Sequence, residues 1–112
     1  MAESKVNYNG WKFYNSVTGT AVGTLPENFK ELYFIVSDFS YSVLVFRFYA
    51  LNSNLNPGDT FIQYMNGYSP TSIGGKNTCA ILQVSDYQYQ LVEAFINDAN
   101  RTNYVRIDCY YK

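Results

Sequence analysis

Leu32-Tyr33-Phe34-Ile35-Val36, Ser37-Asp38-Phe39-Ser40, then Tyr41-Ser42-Val43-Leu44-Val45-Phe46-Arg47-Phe48-Tyr49-Ala50: two apolar runs around a polar turn decide the fold of this chain. The first run is rich in β-branched and aromatic residues and too short for a helix of its own, so it reads as a buried strand. Ser37 to Ser40 supplies turn chemistry, and the second run returns as the other arm of a hairpin. The hairpin is apolar on both faces. Leu32, Phe34 and Val36 oppose Tyr33 and Ile35, and Leu44, Phe46 and Phe48 oppose Tyr41, Val43, Val45 and Tyr49. A two-layer sandwich of this size covers one face of each sheet. The second face therefore needs its own cover, and the expectation is a homo-oligomer, a trimer first and a dimer second.

Working outward, residues 1–10 are polar and read as a flexible lead, with residues 11–112 forming a single β domain. Trp11 to Val17 alternates, which predicts Trp11, Phe13 and Val17 on one face. Thr18-Gly19 turns, and Thr20 to Thr24 is a short extended piece with Gly23 as a bulge. Thr24-Leu25-Pro26-Glu27 resembles a capping box with an early proline, predicting one helical turn over Pro26 to Phe29 and placing Phe29 as a plug at one end of the core.

Beyond the hairpin, Asn52 to Asp59 is a turn-rich loop. Strands follow at Thr60 to Met65, Thr78 to Val84, Tyr87 to Ile96 and Tyr104 to Tyr111, the last with Val105, Ile107 and Cys109 on one face. Asn66 to Asn77 is the longest segment without periodicity and reads as a loop. Seven or eight short strands between turn signals predict an all-β fold, a small antiparallel β-sandwich or jelly-roll-like domain with at most one short helical turn.

Composition narrows the function. Net charge is -1 with a pI near 5.2, so nothing recommends a nucleic-acid backbone as partner. No apolar run is long enough to insert in a membrane, and Met1-Ala2-Glu3-Ser4-Lys5 lacks the apolar core of a signal peptide, which points to the cytoplasm when made. The 12 Tyr and 8 Phe suit strands and also suit binding surfaces, because an aromatic ring presents a large contact area at little rotamer cost.

Catalytic chemistry is sparse. There is no histidine, the commonest general base and zinc ligand, and no spacing implies a metal or cofactor. Glu31, Asp38, Glu93 and Asp108 are the carboxylates from which a glycosidase pair would be drawn, yet no spacing singles out two of them. The expectation is a protein that is not an enzyme. Cys79 and Cys109 read as small buried thiols, with a disulfide left open should their strands prove neighbours.

Three pieces carry a resemblance: Val17-Thr18-Gly19-Thr20 after a tryptophan, Leu25-Pro26-Glu27-Asn28-Phe29-Lys30-Glu31-Leu32-Tyr33 leading into an apolar strand, and Phe95-Ile96-Asn97-Asp98 followed by Cys109-Tyr110-Tyr111-Lys112. From about Trp11 to Lys112 the chain resembles the small β-rich modules at the C-terminal ends of tail, tail-fibre and other virion proteins of phages and prophages from Gram-positive gut bacteria. The resemblance implies a virion component that assembles through one sheet face and binds a host-surface glycan or protein. A start at its own methionine departs from that pattern, which keeps open a free-standing phage protein that inhibits a host defence protein.

Candidate contact residues are Tyr64, Asn66, Tyr68 and Lys76 on and beside the long loop, because aromatic faces stack on sugar rings while amides and ammonium groups reach hydroxyls. Tyr87 and Tyr89, with Gln88 and Gln90, form a second patch, weighed against ordinary cross-strand pairing.

Overall fold

The structure, a computed structural model, describes residues 10–40, 43–55, 60–65 and 78–112, the side chains of 43–45 and 60–65 excepted. In chain order its strands are β1 (Lys12–Thr18), β2 (Gly23–Thr24), β3 (Glu31–Asp38), β4 (Val43–Leu51), β5 (Thr60–Met65), β6 (Cys79–Val84), β7 (Gln88–Ile96), β8 (Ala99–Asn100) and β9 (Val105–Tyr111). They form two antiparallel sheets. The first runs β1-β9-β3-β4, and the second β2-β7-β6-β5 with β8 paired to β7. The all-β sandwich read from the sequence is the observed fold, and two of the nine strands among the described residues are only two residues long.

Alternation drives the packing. Leu32, Phe34 and Val36 of β3, Phe46 and Phe48 of β4, and Val105, Ile107 and Cys109 of β9 point inward from the first sheet, meeting Ala80, Leu82, Val84, Tyr89, Leu91 and Ala94 of the second in one core. Each fully buried Leu, Phe or Val contributes about 1.5–3 kcal/mol relative to exposure. Phe29 does plug the core, with Leu25 and Leu55 beside it.

The turns follow residue chemistry. Asn97 and Asp98, at φ 50° and 67°, are the two loop residues between the pairs Ile96–Ala99 and Phe95–Asn100. Two consecutive positive φ values give the primed turn that suits a tight hairpin, and Asn and Asp tolerate it best. At the central hairpin Asp38 stays in β3, its carboxylate accepting from the Ser40 amide at 2.9 Å and from Arg101 at 2.7 and 3.0 Å.

Three local expectations are corrected. The helical turn over Pro26 to Phe29 does not form. Glu27 and Asn28 make a turn with Asn28 at φ 59°, a left-handed conformation that a helix cannot continue through. The short helical segments are instead 3-10 turns at Asn52–Asn54 and Thr102–Tyr104. In β1 a bulge between Phe13 and Asn15 breaks the alternation, so Val17 packs against the core while Trp11 and Phe13 lie on the opposite face. Gly23 is not a bulge but pairs with Tyr89.

Cys79 and Cys109 are both buried and neither is in a disulfide; they stand on β6 and β9 of different sheets, which answers the open question of a bridge. Burial pushes the Cys109 thiol up to about 12, making it inert as a nucleophile at neutral pH.

Candidate functional site

Among the described residues, the outward face of the first sheet gathers a row of aromatic rings with charged groups beside it. Register fixes it: Tyr49 pairs with Tyr33, Tyr33 with Tyr110, and Tyr110 with Phe13. Four aromatic residues therefore form one row across all four strands. At the usual strand spacing such a row spans roughly 14 Å. The next row is polar at its ends, Arg47 opposite Ile35, Ile35 opposite Asp108, and Asp108 opposite Ser16.

Trp11 overhangs the aromatic row. Its ring centroid lies 5.5 Å from that of Tyr33 and 6.3 Å from that of Tyr49, and the Lys112 ammonium stands 4.7 Å from the indole centroid. Trp11, Tyr33, Ile35, Arg47 and Tyr110 enclose a groove of about 320 Å³, at the small end of the range for ligand pockets. Trp11 also answers part of the demand made by the two-sided hairpin, since it covers Tyr33 and Tyr49 from within the same chain.

The charges are unevenly satisfied. Glu31 accepts from the Tyr49 hydroxyl at 2.9 Å; that bond holds the Tyr49 phenol above its usual range, with desolvation and the carboxylate's own charge adding to it. Asp108 accepts from the Ser16 hydroxyl and pairs with Arg106 at 3.1 Å. Arg47, separated from Asp108 by Ile35 in the register, has no hydrogen bond or ion pair among the described residues.

The carboxylates considered for glycosidase chemistry are dispersed. Asp38 is buried and clamped by Arg101, Glu93 lies on β7 in the other sheet, and Glu31 and Asp108 occupy different rows of the outer face with the aromatic row between them.

The residues expected to bind divide as follows. Asn66, Tyr68 and Lys76 lie outside the described residues, as does the Tyr64 side chain; the Tyr64 backbone pairs with Ala80 in β5. Tyr87 is 61% exposed, whereas Tyr89 is fully buried. The Tyr87–Tyr89 patch does not form as a surface, because alternation turns Tyr89 into the core, where its ring meets Phe34 at 4.9 Å and its hydroxyl donates to Asn15 at 2.7 Å.

Trp11, Tyr33, Arg47 and Tyr110 were missed as site residues. Tyr33 carried a signal, as an apolar residue on the second face of the hairpin, but it read as an assembly face; Trp11 was misphased by the bulge in β1, and Arg47 and Tyr110 lie on strands whose register with β3 the sequence does not give. No protein-family model, curated protein or solved structure matches this chain.

Proposed function

We propose that the protein is a non-enzymatic binding module of a phage or prophage virion, and that it engages a host-surface glycan through the outer face of its first sheet. The observation that carries the reading is the row Tyr49-Tyr33-Tyr110-Phe13 beneath Trp11. Flat apolar rings with polar groups at their margin suit a sugar, which has a C–H face and an equatorial rim of hydroxyls. The rim here offers the Tyr49 hydroxyl, Glu31 and Arg47. Rings held on adjacent strands need little ordering to bind. The phage context rests on the sequence resemblance, and the absence of histidine together with the dispersal of the acids supports a non-catalytic role.

Binding of the labelled protein to Gram-positive cell envelopes tests this. Periodate oxidation of the envelope sugars is expected to abolish retention, and protease treatment to leave it intact. The opposite pattern assigns the face to a host protein, as an inhibitor of a host factor would require. Concentration-dependent sedimentation that disappears in Tyr33→Glu, with no envelope binding, assigns it to a second copy of the chain.

A further inference from the structure

Resting on the glycan reading, the geometry points to an acidic saccharide as the ligand: we infer that Arg47 receives the carboxylate of a uronic-acid unit whose ring stacks in the groove between Trp11, Tyr33 and Tyr110. Charge complementarity carries the step. Among the described residues Arg47, which lines the groove, has no hydrogen bond or ion pair, although two carboxylates share its sheet face. Both are already engaged, Glu31 by the Tyr49 hydroxyl and Asp108 by Ser16 and Arg106.

Ile35 stands between Arg47 and Asp108 in the register, which keeps the guanidinium from being neutralised across the sheet. A neutral sugar would offer that exposed cation no counter-charge. A carboxylate on the ring would meet it in the bidentate geometry that guanidinium favours. The groove volume, about 320 Å³, accommodates a ligand of one or two rings, and the Lys112 ammonium stands against Trp11, a residue that lines the same groove.

The test is calorimetric titration of the whole chain with trisaccharides of galacturonate, glucuronate and mannuronate, each beside its neutral counterpart. At least one uronate is expected to bind about tenfold or more tighter than its neutral partner, as a charge-assisted hydrogen bond provides, and to lose that advantage as salt is raised. Arg47→Gln should remove the advantage while preserving the melting temperature, and Arg47→Lys should restore part of it.

Equal affinity for acidic and neutral members, or selectivity that persists in Arg47→Gln, overturns the inference and leaves glycan binding standing. Failure of every trisaccharide overturns it as well. If envelope binding is then also insensitive to periodate, the glycan reading falls with it.

Discussion

Tyr89 lies across Gly23: the two are cross-strand partners, and a Cβ on Gly23 would overlap the Tyr89 ring atoms Cζ and Cε1 and stand 2.6 Å from its hydroxyl oxygen. The missing side chain of one strand is the seat for the ring of the next. From that seat the tyrosine reaches Phe34 and Asn15 of the opposite sheet, so one residue joins the two layers. Gly23→Ala is expected to destabilise by about 1–3 kcal/mol through overpacking. Tyr89→Phe should cost about 1 kcal/mol for the lost hydroxyl–Asn15 bond. Urea unfolding of both variants measures these.

Asp38 is fully buried and accepts two hydrogen bonds from Arg101, whose side chain is 18% exposed. Arg101 also stacks on Tyr104 at 4.5 Å. The clamp fixes the end of β3 to the segment joining β8 to β9. Arg101→Leu leaves a buried carboxylate without its cation, at an expected cost of roughly 2–4 kcal/mol. Asp38→Asn in the same background should recover part of that loss by removing the charge, a sign opposite to the additive expectation for two independent damaging changes.

Burial raises the pKa of Cys109 to about 12 from 9.0 and raises that of Tyr89 as well, with burial again the largest cause. Both groups are neutral when protonated, so the folded chain holds these protons to higher pH than the unfolded one. Their stabilising contribution is fully present below about pH 9 and is lost as pH rises towards the folded values. The urea midpoint is expected to be flat from pH 7 to pH 9 as far as these groups are concerned, then to fall. Cys109→Val should reduce the fall that begins near pH 9, and a midpoint that rises with pH in that window would contradict the assignment.

Much of the sandwich was legible because its determinants are local. Val105 to Cys109 alternates apolar with polar, so its inward face follows from parity, while Leu32 to Val36 is legible as a buried strand from its continuous apolar run although both of its faces are apolar. Tyr89 also obeys parity with Leu91, yet its phenol and its place between Gln88 and Gln90 made it read as a surface residue. Its burial depends on Gly23 and Asn15, which are remote in sequence. The bulge at Tyr14 is likewise a pairing event with β9 and leaves no mark in the composition of β1. The aromatic row was hidden for the same reason. Tyr49, Tyr33, Tyr110 and Phe13 become neighbours only once the strand order β1-β9-β3-β4 is known, because β9 inserts between β1 and β3.

Tyr110→Ala and Tyr33→Ala remove rings from the outward face, away from the core. Each is expected to leave the melting temperature within a few degrees and to reduce envelope retention at least tenfold, because stacked aromatic contacts of about 1–3 kcal/mol carry such sites. Tyr89→Ala, by contrast, removes a fully buried aromatic side chain and should cost about 3–5 kcal/mol. Thermal melts beside retention assays separate the two kinds of tyrosine.

Trp11 is the single tryptophan of the chain and lines the groove, so its emission reports on the site directly. The decisive measurement is a titration of intrinsic fluorescence with glycan fragments released from the envelopes that retain the protein. A saturable change in intensity or wavelength, lost in Tyr33→Ala and Tyr110→Ala while both variants remain folded, is the predicted result. Unchanged Trp11 emission at fragment concentrations that displace the protein from envelopes would place the binding surface elsewhere on the molecule and contradict the assignment of the outer face.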